Sequence, residues 1–156
     1  MPTHTIFADY HQFYLFDEAV CPPYPEDITD ADLRRKFKAV PNLVAVYTDD
    51  AVELVIAIEH GEDPPQLDHS SWASIVEGPL SVPSGRIVLA SPSSELARAP
   101  RIAVPPGAYR VQVAASLDRD GMRQNYLVSL WPSTTATVEV IKPSVQRAAS
   151  QETPLK

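Results

Sequence analysis

Between Val104 and Pro132 apolar and polar residues alternate in two runs, with the period of two that a half-buried strand requires. Tyr109, Val111, Val113 and Ala115 alternate with Arg110 and Gln112, and Tyr126, Val128 and Leu130 alternate with Leu127, Ser129 and Trp131 until Pro132 ends the ladder. Pro105, Pro106 and Gly107 punctuate the approach, and Asp118, Asp120 and Gly121 supply turn chemistry between the runs, which predicts a complete β-hairpin. A second hairpin is predicted from Leu43–Tyr47 and the alternating set Val52, Leu54, Ile56 and Ile58. Asp49-Asp50 is its tight turn, and Glu53 and Glu59 fall on its solvent side.

The remaining pattern is one of short elements. Phe7 to Phe16 reads as strand, whole or in two pieces joined at a bulge, and C-P-P-Y-P-E-D after it reads as loop. Thr29 is placed to cap a helix over Asp30 to Lys38, with acidic residues at its start and Arg34, Arg35, Lys36 and Lys38 toward its end, as the helix dipole prefers. A long polar connection, Gly61 to Ser71, leads to strands over Trp72–Val82, Arg86–Ala90, Ile102–Val104 and Thr137–Ile141. The pattern predicts an all-β fold, an antiparallel β-sandwich of eight or nine short strands with one short helix, as a single domain over residues 1–142. Residues 143–156 carry no sustained apolar pattern and are expected to be a flexible tail.

Composition sharpens this in two places. Sixteen prolines against five glycines favour short proline-stopped segments over long helices. Residues 1–80 hold fifteen Asp and Glu against four Lys and Arg, whereas residues 81–156 hold five against nine, so the net charge of −7 arises in the first half. Such acidity disfavours binding to nucleic acid phosphates or an anionic membrane and is compatible with a basic protein partner or with simple solubility. No run approaches the roughly 20 apolar residues of a membrane span and no leader pattern is visible, so a cytoplasmic address is expected. The single cysteine, Cys21, excludes an intrachain disulfide.

Reactive constellations are sparse. His60 and His69 flank Glu62, Asp63 and Asp68, but their spacing matches no ligand pattern, so no metal is assigned. D-R-D-G at 118–121 opens like a calcium loop yet lacks the downstream Glu. G-x-S-x-G and the phosphate-cradling glycine motifs are absent, so neither a catalytic set nor a cofactor is expected. Trp72 and Trp131 offer a stacking platform for a carbohydrate or small ligand, though burial in a sandwich core explains such aromatics equally well. The acidic set Asp49, Asp50, Glu53, Glu59, Glu62 and Asp63 is the candidate partner-binding surface, weighed against a merely solvated face.

The segment A-D-Y-H-Q-F-Y-L-F-D from Ala8 to Asp17 resembles the Y-H-Q-F-x-[LV]-F opening of the competence protein J family, small bacterial inhibitors of a DNA-entry nuclease. V-P-P-G-A-Y-R-V-Q-V at 104–113 looks like that family's P-K-G-x-Y segment, and N-Y-L-V-S-L-W at 125–131 follows in the same order, so the resemblance spans most of residues 6–131. It implies stoichiometric inhibition of a basic nuclease by an acidic β-sandwich without catalytic residues. Tyr10, His11, Gln12 and Phe13 carry the motif and are expected to define the fold more than to touch a partner. The competing expectations are a carbohydrate- or small-ligand-binding sandwich and an immunity-like or structural protein.

Overall fold

The computed structural model describes residues 3–7, 11–20, 24–48, 53–92, 94–120 and 123–143, the side chains of 117–120 and 123 apart. Eleven strands and one α-helix are present among them: β1 Thr3–Phe7, β2 Gln12–Asp17, α1 Asp30–Arg35, β3 Phe37–Val40, β4 Leu43–Tyr47, β5 Glu53–His60, β6 Trp72–Val82, β7 Arg86–Ala90, β8 Arg101–Ala103, β9 Gly107–Asp120, β10 Arg123–Pro132 and β11 Glu139–Lys142. They form a six-stranded sheet in the order β1-β5-β10-β9-β6-β11 and a five-stranded sheet in the order β3-β4-β2-β7-β8. Every described neighbour pair is antiparallel except β5 with β10, which run parallel.

The all-β sandwich expected from the alternation is what forms. Tyr109, Val111, Val113 and Ala115 of β9 and Tyr126, Val128 and Leu130 of β10 enter one core with Leu54, Ile56 and Ile58 of β5. Phe13, Leu15, Val44, Val46, Ile87 and Leu89 meet them from the other sheet. The β9–β10 hairpin is longer than its turn residues suggest: Asp118 and Asp120 lie within β9, and Gly121 falls outside the described residues. The tail expected over 143–156 also lies outside them, Pro143 apart.

Four expectations are corrected. Leu43–Tyr47 and β5 are not a hairpin, because β4 pairs with β2 and β3 while β5 pairs with β1 and β10 in the opposite sheet. All five β4 residues are buried, Leu43, Ala45 and Tyr47 on one face and Val44 and Val46 on the other, which a hairpin with a wet side would not allow. The helix ends at Arg35 rather than Lys38: Lys36 adopts the left-handed conformation at φ 60°, and the fully buried Phe37 begins β3 opposite Val46. Its start is as expected, with the Thr29 hydroxyl accepting from Asp32 N at 3.1 Å and the Asp32 carboxylate accepting from Thr29 N at 3.0 Å. The strand read over Phe7 to Phe16 is two strands in different sheets. The last strands shift slightly, to Arg101–Ala103 and Glu139–Lys142.

Neither sheet leaves its outer face bare. Tyr14, Phe16, Leu43, Ala45 and Tyr47 form a second apolar cluster under Tyr24 and Ile28, with the Tyr14 and Tyr24 rings stacked at 4.1 Å. On the six-stranded sheet, residues 133–138 travel from β10 to β11 across β9 and β6, and the Arg110 side chain rises to meet them. Arg110 donates to the carbonyls of Thr135 and Thr137 and to Glu77 Oε2 at 2.8 Å, while Gln112 Nε2 donates to Glu77 Oε1 at 3.0 Å. Burial of that guanidinium, which is 2% exposed, is tolerated because the Glu77 carboxylate lies beside it.

Candidate partner-binding surface

Alternation along β5 sends Leu54, Ile56 and Ile58 into the core and leaves Glu53, Val55, Ala57 and Glu59 on the outer face, half-buried. The Glu59 carboxylate is held there by the Ser129 hydroxyl, which donates at 3.1 Å from the neighbouring β10. Gly61 N donates to Leu130 O at 3.0 Å, and Glu62 and Asp63 follow directly, both exposed. The structure therefore gathers Glu59, Glu62 and Asp63 at one end of β5. Glu53 lies at the other end, six residues or roughly 20 Å away along an extended strand. Asp49 and Asp50 lie outside the described residues.

A cleft of about 490 Å³ opens beside this acidic end, bounded by His60, Gly61 and Glu62 on one side and by Pro105 to Tyr109 on the other. The Tyr109 hydroxyl donates to Pro105 O and pins that wall. Burial pushes the Tyr109 phenol up, and the negative charge of Glu62 adds to the shift, so the field of Glu62 reaches into the cleft. On the far side of His60 a second cleft of about 520 Å³ separates the ends of β1 and β5 from β8, with His4, Glu59 and Arg101 above an apolar floor of Ile58 and Ile102. Arg101 is fixed by Glu18 Oε2 at 2.8 Å and by Ala99 O at 2.7 Å. His4 Nε2 is buried with no hydrogen-bond partner among the described residues.

Of the motif residues, Phe13 is a core residue, fully buried and edge-on to Tyr126 at 5.3 Å between centroids. His11 is exposed, in the left-handed conformation at φ 58°, with its carbonyl accepting from Thr48 N at 2.8 Å. Gln12 Oε1 accepts from the Tyr14 hydroxyl at 2.6 Å. Tyr10 lies outside the described residues, as does Cys21. The two tryptophans do not share a platform: Trp131 is 7% exposed opposite Arg110, and Trp72 pairs with Ser116, six residues or roughly 20 Å further along β9. The Asp68 carboxylate is occupied in accepting from Ser70 N, Ser70 Oγ and Ser71 Oγ. Among the described residues no three His, Cys, Asp or Glu gather closely enough to hold a metal ion, and no helix is long and apolar enough to cross a membrane.

The strand pattern missed the Arg110–Glu77–Gln112 network, which it placed on a solvent side, and it missed both clefts, whose walls come from strands far apart in sequence. The one available signal was the clustering of Pro105, Pro106 and Gly107 next to a tyrosine, which marks a stiff wall.

Two sheets joined face to face, with a parallel β5–β10 pair inside an otherwise antiparallel frame, define the fold class. It is the fold of ComJ, inhibitor of the DNA degrading activity of NucA from Bacillus subtilis: the structures align with a TM-score of 0.70 at 18% identity over 85% of this chain and 96% of ComJ. The product of crocagin biosynthetic gene J aligns over 85% of this chain and 99% of its own length, with a TM-score of 0.51 and 18% identity. The resemblance read from Ala8–Asp17 is thus borne out at the level of fold. No family model matches the chain, and no curated protein matches it in sequence.

Proposed function

We propose that this protein is a non-catalytic binding module that blocks a basic nuclease through the acidic end of β5. The observation that carries the reading is the shared fold with ComJ over 96% of ComJ's length. The local chemistry supports it. Glu59, Glu62 and Asp63 present negative charge from a strand end anchored by Ser129 and Leu130, and inhibition by surface complementarity needs no reactive group. The buried charges Asp17, Asp32 and Arg110 are all engaged in bonds that hold the fold together, which favours a role without catalysis.

The test is to recover nuclease activity from native cells on the immobilised protein and to titrate the purified nuclease with the free protein. Activity should fall to zero near one equivalent. The double variant Glu62→Lys/Asp63→Lys should weaken capture roughly tenfold at low ionic strength, with the difference shrinking as salt rises. A nuclease that is neither retained nor inhibited would discard the inhibitor role. Inhibition untouched by the double variant would discard this face while sparing the role.

A further inference from the structure

At the opposite edge of the six-stranded sheet, a groove of about 390 Å³ runs between α1 and β11. Its floor is apolar, with Ala31, Val76 and Val140, and its rim is cationic, with Arg34 and Arg35 on the helix side and Lys142 on the strand side. We propose that this groove binds an extended acidic peptide segment of a partner protein, which adds to β11 as a further strand.

Three observations converge on that occupant. β11 ends the strand order, so the edge it turns away from β6 is unpaired among the described residues and offers backbone donors and acceptors to an incoming strand. Val140, one of the few large apolar side chains left exposed, at 41%, lies in the groove itself. Finally, the charge is inverted with respect to the rest of the molecule. The chain carries −7 overall, yet the rim here is basic.

The cations differ in their availability. Arg35 is partly neutralised by Asp32 at 2.6 Å, and Lys142 Nζ donates to His69 O at 2.8 Å, a carbonyl that leaves its charge uncompensated. Arg34 is exposed, with no ion pair or hydrogen bond to any described residue, and is the natural partner for an incoming carboxylate. The chain's own continuation beyond Pro143 has the wrong sign for this rim, with Arg147 and Lys156 against Glu152. Four strand spacings, about 19 Å, separate the groove from β5, so it is distinct from the acidic end proposed to face a nuclease.

The test uses the full-length protein and a fluorescein-labelled peptide of five Glu-Val repeats, followed by anisotropy. Saturable binding is expected. It should weaken at least tenfold for the Lys-Val counterpart, for the peptide N-methylated at alternate amides, and for Arg34→Glu protein with an unchanged melting temperature. Backbone amide shifts should centre on Glu139–Lys142. Absence of saturable binding, equal affinity for the Lys-Val peptide, or full affinity in Arg34→Glu would overturn the proposal. Undiminished binding of the N-methylated peptide would overturn strand addition.

Discussion

At Gly78 the β6 backbone lies close beneath Phe37 of the other sheet, and this yields a sharp prediction about packing. A methyl group at this position would stand 2.6 Å from Phe37 Cε2, 3.1 Å from Phe37 Cζ and 3.2 Å from Val138 Cγ2. In an exposed site the end of a ring would swing aside. Here Phe37 is fully buried and held opposite Val46, so relief requires the β3 backbone or the core to shift. Overpacking of this kind costs about 1–3 kcal/mol, and replacing glycine within a strand returns roughly 0.5–1 kcal/mol. Gly78→Ala is therefore expected to destabilise the protein by about 1–2 kcal/mol. Phe37→Leu, which shortens the opposing side chain, should make room for the methyl, so the double variant should be more stable than the sum of the two single losses by about 1 kcal/mol. Urea unfolding of the four proteins, compared through midpoints at a common slope, measures the cycle. Gly78→Ala at or above the stability of the parent, or strict additivity of the pair, would show that the contact does not constrain the core.

Two further predictions concern buried charge. Burial raises the Asp17 carboxyl, but the hydroxyl and amide of Ser84 and the amides of Val20 and Ala19 more than offset it, leaving it below 3.8; Asp32 is likewise raised by burial and lowered further by Thr29 and Lys38. Both are depressed in the folded state, so the stability they contribute is present above pH 3.8 and drains away as pH falls through their folded values. Asp17→Asn should flatten that acid slope in urea midpoints taken at successive pH, and parallel slopes for the two proteins would contradict the linkage. Arg110→Met should cost about 3–5 kcal/mol, because it leaves Glu77 with only Gln112 beneath the 133–138 crossing. It should also open that segment to limited proteolysis, whereas a loss under 1 kcal/mol would mean that the guanidinium is not the pin.

How much of this was legible in the chain depended on whether a contact was local. The β9–β10 hairpin and its inward set could be read from alternation because its strands are consecutive and antiparallel. The relation of β4 to β5 could not, since alternation assigns a side chain to a face and is silent about which sheet the strand joins. Phe37 was concealed by the basic residues around it, which continue a helical charge pattern past the point where the core requires an extended backbone. Arg110 and Gln112 look like solvent-side residues of a strand, and only the later passage of residues 133–138 overhead makes them interior. At the candidate surface, Glu59, Glu62 and Asp63 could be grouped from sequence because they are near neighbours. The stiff wall from Pro105 to Tyr109 that shapes the cleft beside them reaches it only through the tertiary fold.

The parallel pairing of β5 with β10 has a consequence for how the molecule comes into being. Glu59 and Ser129, bonded across that pair, are 70 residues apart, and among the described strands β10 alone joins β1 and β5 to the rest of the six-stranded sheet. While the chain emerges from a ribosome, β5 must wait for a partner strand that follows it by 70 residues. Closing a loop of that length costs conformational entropy, and slow folding for a chain of this size is the expected result. A fragment ending before Arg123 would hold all of the five-stranded sheet and still be unable to close the core. It should instead be a client for chaperones, rescued by a separately supplied peptide carrying β10.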